Sequence, residues 1–71
     1  MNRIEIHTEY IKLDQFLKFA NIVSSGGEAR FWIQENPIQV NGEPENRRGR
    51  KLRPGDVIRI PQGEWTIVEV G

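Results

Sequence analysis

Apolar and polar residues alternate at the start of the chain: Ile4 and Ile6, with Thr8 as a weaker third, interleave with Arg3, Glu5 and His7. A period of two places successive side chains on opposite faces, so this segment is expected as a short edge strand with one face buried. From Leu13 the spacing changes. Leu13, Phe16, Leu17 and Ala20 recur at helical intervals, Asp14, Lys18 and Asn21 fall on another face, and Asn21 marks the helix end. Ser25 followed by Glu28 has the spacing of a capping box, with the Ser25 hydroxyl accepting from one free amide and the carboxylate returning to another. In the second helix Ala29, Trp32 and Ile33 face the core and Arg30, Phe31 and Gln34 face away or to the flank, until Asn36-Pro37 stops it. Gly26 and Gly27 fall in its first turn, where they permit close approach of another backbone.

Beyond Pro37 the pattern is that of short strands. Ile38-Gln39-Val40 runs into Asn41-Gly42, a strong two-residue hairpin signal. Residues Glu45 to Arg53 contain no apolar run and are expected as an exposed loop. Pro54-Gly55-Asp56 then turns the chain into Val57-Ile58-Arg59-Ile60, and Pro61-Gln62-Gly63 reverses it into Trp65, Ile67 and Val70. The fold class expected is α+β, two short adjacent helices on a small, mostly antiparallel sheet with an extra N-terminal strand. Residues 1–71 form a single domain in this reading, with no linker, repeat or low-complexity segment.

Composition narrows the functions open to such a chain. At 71 residues there is room for a thin core and none for an enclosed pocket. With no cysteine, neither a disulfide framework nor a thiolate zinc site is available. No window approaches the ~20 apolar residues of a membrane span, and no signal-peptide core follows Met1, so the expected location is the cytoplasm. His7 is the sole histidine and has no cysteine or second histidine to work with. Asp14 is accounted for as a helix-start residue or a partner of Lys18, and Asp56 as a turn residue. No Ser-His-Asp set, phosphate loop or paired carboxylates emerge, so the chain is read as no enzyme, with neither metal nor cofactor.

Charge matters through its placement. Ten basic and ten acidic residues cancel, yet Arg47, Arg48, Arg50, Lys51 and Arg53 put five positive charges into seven residues with no acid among them. A solvated run that keeps a neutral protein soluble is one reading. A phosphate-binding patch is the other, since arginine forks match phosphate oxygens and lysine supplies a point charge. Lys12, Lys18 and Arg30, on or near the helices, would extend it. Phe31, on the helix face opposite Ala29, reads either as a surface aromatic or as a platform for a splayed base. Trp32 and Trp65 read as core or half-buried packing.

The fragments Lys12-Leu13-Asp14, Phe16-Leu17, Ser25-Gly26-Gly27-Glu28-Ala29-Arg30, Ile33, Val40-Asn41-Gly42 and Gly55-Asp56-Val57 together resemble the signature of the S4 RNA-binding domain. The likeness covers about residues 10–60 and is nearest to the short stand-alone bacterial S4-like YaaA proteins. It implies the S4-like (αL motif) fold and non-catalytic, shape-based recognition of structured RNA, and leaves the identity of that RNA open; the partner expected is a ribosomal or ribosome-associated RNA, bound by a monomer. By position, it puts Lys12, Arg30 and the face around Ser25 on the RNA side of the helix pair, with the Arg47 to Arg53 loop adding backbone contacts. Two departures stand out: Gly26 where the family often has arginine, and Asn36-Pro37 where a Gly-x-Val approach is usual. Backbone amides at Gly26 and Gly27, or the arginine cluster, could replace the missing contact. Two other functions fit the same residues. One is a protein-interaction adaptor docking through an exposed strand edge at Val57 to Ile60 or Glu64 to Val70; the other is DNA binding, since backbone charge does not select the sugar.

Overall fold

The computed structural model describes residues 1–70. Nine elements follow in order: β1 (Asn2–Ile6), β2 (Ile11–Lys12), α1 (Leu13–Phe19), α2 (Gly26–Glu35), β3 (Gln39–Val40), β4 (Glu43–Pro44), β5 (Lys51–Leu52), β6 (Val57–Ile60) and β7 (Gly63–Glu69). Five strands make one sheet in the order β1-β7-β6-β3-β4, and β2 and β5 make a separate pair. All pairings are antiparallel except β1 with β7, where Ile4 lies beside Ile67. The α+β architecture expected from the periodicity is the one observed.

Each helix forms for a local reason. In α1, Leu13, Phe16 and Leu17 are fully buried. Its end is a left-handed turn at Asn21 (φ 60°), where the Asn21 amide donates to Lys18 O (3.1 Å) and the Ile22 amide to Leu17 O (2.9 Å). This pair of bonds is the usual glycine-type helix stop, here with asparagine in the strained position. In α2, Ser25 Oγ accepts from the Glu28 amide as the sequence predicts, but the Glu28 carboxylate does not return to Ser25. It accepts instead from the amide and hydroxyl of Ser24, at 2.7 and 2.8 Å, because Ser24 offers two donors side by side. Those bonds hold the Glu28 carboxyl below its ordinary value.

The helices pack on the sheet through one cluster. Ile4, Ile6, Ile58, Ile60 and Ile67 from the sheet meet Leu13, Phe16, Leu17, Ala29 and Ile33 from the helices. Phe16 sets its ring edge-on to half-buried Trp65, centroids 5.8 Å apart. The expected hairpin at Asn41-Gly42 is present, with both residues at positive φ (54° and 84°). It is clipped to the Gly55-Asp56 turn: Asn41 Nδ2 donates to Asp56 Oδ1 (3.0 Å) and Asn41 Oδ1 accepts from the Val57 amide (2.9 Å). Two fragments of the signature, 15 residues apart in sequence, are thus hydrogen-bond partners.

Two expectations are corrected here. The stretch from Glu45 to Arg53 is not wholly an exposed loop, because Lys51–Leu52 pairs with Ile11–Lys12 and Leu52 is fully buried. A single apolar residue among charges leaves no periodic trace. Nor does the C-terminal hairpin offer a free edge: β6 lies between β7 and β3, and β7 between β1 and β6. The N-terminal strand closes that edge by pairing in parallel across the whole chain length, and β1 is itself an edge, as expected.

Candidate nucleic-acid interface

The basic segment is fastened to the first helix by its backbone. The amides of Leu13 and Asp14, which have no partner within α1, donate to the carbonyls of Arg50 (2.9 Å) and Arg48 (3.2 Å). The Lys12 amide donates to Gln15 Oε1, and Asp14 Oδ1 accepts from the Gln15 amide, which makes Asp14 a helix-start residue and not a partner of Lys18. Since the same segment pairs β5 with β2, Lys51 becomes the register partner of Lys12. Like charges placed opposite each other repel, and folding tolerates this pair on an exposed surface.

Sequence reasoning missed Tyr10 and Glu45, and both organise the site. The Tyr10 ring carries Lys51 Nζ 5.0 Å and Arg53 Cζ 5.7 Å from its centroid, so one half-buried aromatic holds two cations by its electron-rich face. Glu45 gathers two of the three remaining arginines, Arg47 and Arg50. Its carboxylate takes a two-pronged contact from Arg47 (both 3.0 Å), one from Arg50 (2.6 Å), and the amides of Asn46 and Arg47. The Glu45 side chain is only 6% exposed, and the Arg47 fork, with Arg50 and the amides, pulls its carboxyl down to about 2 against the opposing effect of burial. The spacings 45–47 and 45–50 belong to no regular element, so no periodic signal marks the contact.

Five cations that look alike in the sequence therefore divide. Arg47 and Arg50 are engaged by Glu45. Among the described residues, no carboxylate pairs with Arg48, Lys51, Arg53 or Lys12. The structure brings Lys12, Arg48, Arg50, Lys51 and Arg53 together at the start of α1.

The remaining sequence candidates lie elsewhere. Lys18 lines a shallow depression with Ser24 and Glu28 at the junction of the two helices. Arg30 and Phe31 are exposed on α2, and Phe31 remains 63% exposed. Gly26 and Gly27 do not accommodate a neighbouring backbone of this chain, as a side-chain carbon added at either would meet open space. Their turn of α2 faces outward. Among the described residues no cluster of three or more metal-ligating side chains occurs, and no helix is long and apolar enough to cross a membrane.

Comparison with known proteins bears on the whole of this arrangement. A family model described as S4 domain matches residues 4–68. The chain is 54% identical over 59 residues to the probable ribosome maturation protein RlbA of Bacillus subtilis, an alignment that covers 83% of each. It is also 37% identical over 51 residues to the small ribosomal subunit protein uS4m of Schizosaccharomyces pombe, covering 72% of this chain and 16% of that protein. With the helix pair, the clipped Asn41 and Asp56 turns and a match spanning nearly every element, the chain belongs to the S4 domain family, of the YaaA type.

Proposed function

We propose that this protein binds structured RNA, ribosomal or ribosome-associated, and does so without catalysing a reaction on it. The observation that carries the reading is the β2–β5 pairing, which sets Lys12 against Lys51 beside Arg48 and Arg53, with no carboxylate partner for any of them among the described residues. Cations held together without acids are suited to backbone phosphates, and each phosphate neutralised releases counterions. Membership of the S4 family favours RNA as the polyanion, and the names of the two relatives, one in ribosome maturation and one in the small subunit, favour a ribosomal species.

The helix pair supplies a second zone in this reading. In this reading the first turn of α2, started by Ser25 and with open space where side chains would stand at Gly26 and Gly27, turns its amides to a phosphate, with Arg30, Phe31 and Lys18 as further contacts. Contacts of this kind position a protein without reading bases, and A-form duplexes are recognised mainly by shape, phosphates and 2′-hydroxyls. The groups gathered are guanidinium, ammonium and an aromatic ring. That set is suited to holding an anion.

The test is a titration of an RNA hairpin, and of a DNA duplex of matching sequence, at several salt concentrations. Log affinity for RNA should fall linearly with log salt, by about 0.9 per phosphate neutralised in a duplex. Lys51→Ala and Arg53→Ala should each lower that slope by about one. Salt-independent affinity would overturn the proposal, equal binding of DNA would favour the duplex-charge reading, and a protein complex surviving nuclease treatment would favour the adaptor.

A further inference from the structure

Phe19 is left unexplained by the core and by the phosphate contacts alike. It ends α1 and is 56% exposed, while Phe16 and Leu17 on the same helix are fully buried. With Ile6, Tyr10 and Lys12 it lines an open groove of about 640 Å³ between α1 and the segment joining β1 to β2. The groove reaches the cationic end of the molecule. Lys12 is shared by both, its register partner is Lys51, and Lys51 lies over the Tyr10 ring.

An aromatic wall, an apolar floor and a cation at one end match the parts of a nucleotide. The base packs on the ring and the phosphate meets the ammonium. Glu5 and Glu9 also line the groove and their charge disfavours a phosphate beside them, so the phosphate is assigned to Lys12, whose register partner Lys51 adds a second positive charge. A base stacked within a duplex cannot enter such a groove; an unpaired one can be splayed into it. We propose that this groove accepts one unpaired nucleotide of the bound RNA, its base against Phe19 and its phosphate on Lys12. The inference rests on the RNA-binding reading and deepens it, making a junction between duplex and single strand the preferred ligand.

The experiment compares three RNA probes by fluorescence anisotropy: a blunt hairpin, the same hairpin with a single-nucleotide extension or bulge, and the latter with an abasic site in place of the extra base. The base-bearing probe should bind about 5-fold or more tighter than the blunt one, and the abasic probe should not. Phe19→Ala should abolish the gain and leave affinity for the blunt hairpin unchanged, while Phe19→Trp retains the gain. Because Phe19 is exposed, both variants should melt like the parent protein, which separates lost stacking from lost fold. If the blunt hairpin binds and no unpaired base adds affinity, or if Phe19→Ala keeps the gain, the groove assignment is overturned and the RNA-binding reading stands. If no RNA probe binds, the RNA-binding reading itself fails.

Discussion

The two halves of the segment from Glu45 to Arg53 carry the same kind of charge and use it differently. In the first half Arg47 and Arg50 converge on the nearly buried carboxylate of Glu45, and the Arg48 and Arg50 carbonyls complete the start of α1. In the second, Lys51 and Arg53 lean on Tyr10 and, among the described residues, pair with no acid. Glu45 draws Arg47 and Arg50 into the fold, while Arg48, Lys51 and Arg53 present their charge at the surface even though Leu52, between the last two, is buried. A count of cations therefore overstates the charge available to a ligand, because a single acid just outside the run occupies two of them.

The comparison breaks most readily at Leu52, the buried residue within the second half. Leu52→Ala should cost about 2–5 kcal/mol, the usual range for emptying a core site, and should lower the midpoint of thermal or urea unfolding far more than any exposed change nearby. A midpoint close to that of the parent would mean that the β2–β5 pair is not part of the core. Next in size is the contrast between arginines. Arg50→Ala strands a half-buried carboxylate contact and should cost about 1–3 kcal/mol of stability, whereas Arg53→Ala should stay within about 0.5 kcal/mol and lose RNA affinity instead. Measuring both variants by melting and by RNA titration crosses the two effects; identical behaviour would erase the distinction between the halves.

Acid gives a third handle. Glu45 in the folded protein titrates at about 2 against an ordinary value of 4.5, so its contribution is fully present above pH 4.5 and is lost as pH falls toward 2. Glu28 shifts in the same direction. Melting temperature should thus fall across that window, and Glu45→Gln should lower it at neutral pH while flattening the acid limb. The smallest effect is expected at Tyr10, where Tyr10→Leu removes the face that holds two cations. A loss of about 0.5–1 kcal/mol is the scale for exposed cation–aromatic contacts, and it should appear as a slightly lower urea midpoint, with RNA binding weakened only as far as the two cations lose their fixed positions.

Much of the fold was legible along the chain. The helix faces of Leu13, Phe16 and Leu17 and of Ala29 and Ile33, the stop at Asn21, the hairpin at Asn41-Gly42 and the strand from Val57 all rest on local periods or turn chemistry, and each is found where expected. Of the candidate site, the basic run was visible as composition, and Lys12 as part of the signature. Invisible were the roles of Tyr10 and Glu45, since an aromatic under two cations and an acid shared by two arginines obey no sequence spacing. The reciprocal capping at Ser25 went astray for a similar reason: Glu28 had a better pair of donors one residue upstream.

By itself, then, the sequence determined the two helices and the strands at Ile4, Val40, Val57 and Trp65, the apolar faces of the helices, and that positive charge is concentrated between Arg47 and Arg53. Backbone geometry and hydrophobic burial impose those periods within a few residues, so they can be read locally. Only the tertiary structure decided that β1 closes the β7 edge in parallel, that Leu52 enters the core, and which cations remain free. Those outcomes depend on pairings between residues far apart in the chain, whose partners are selected by the packing of the whole core and not by any spacing along it.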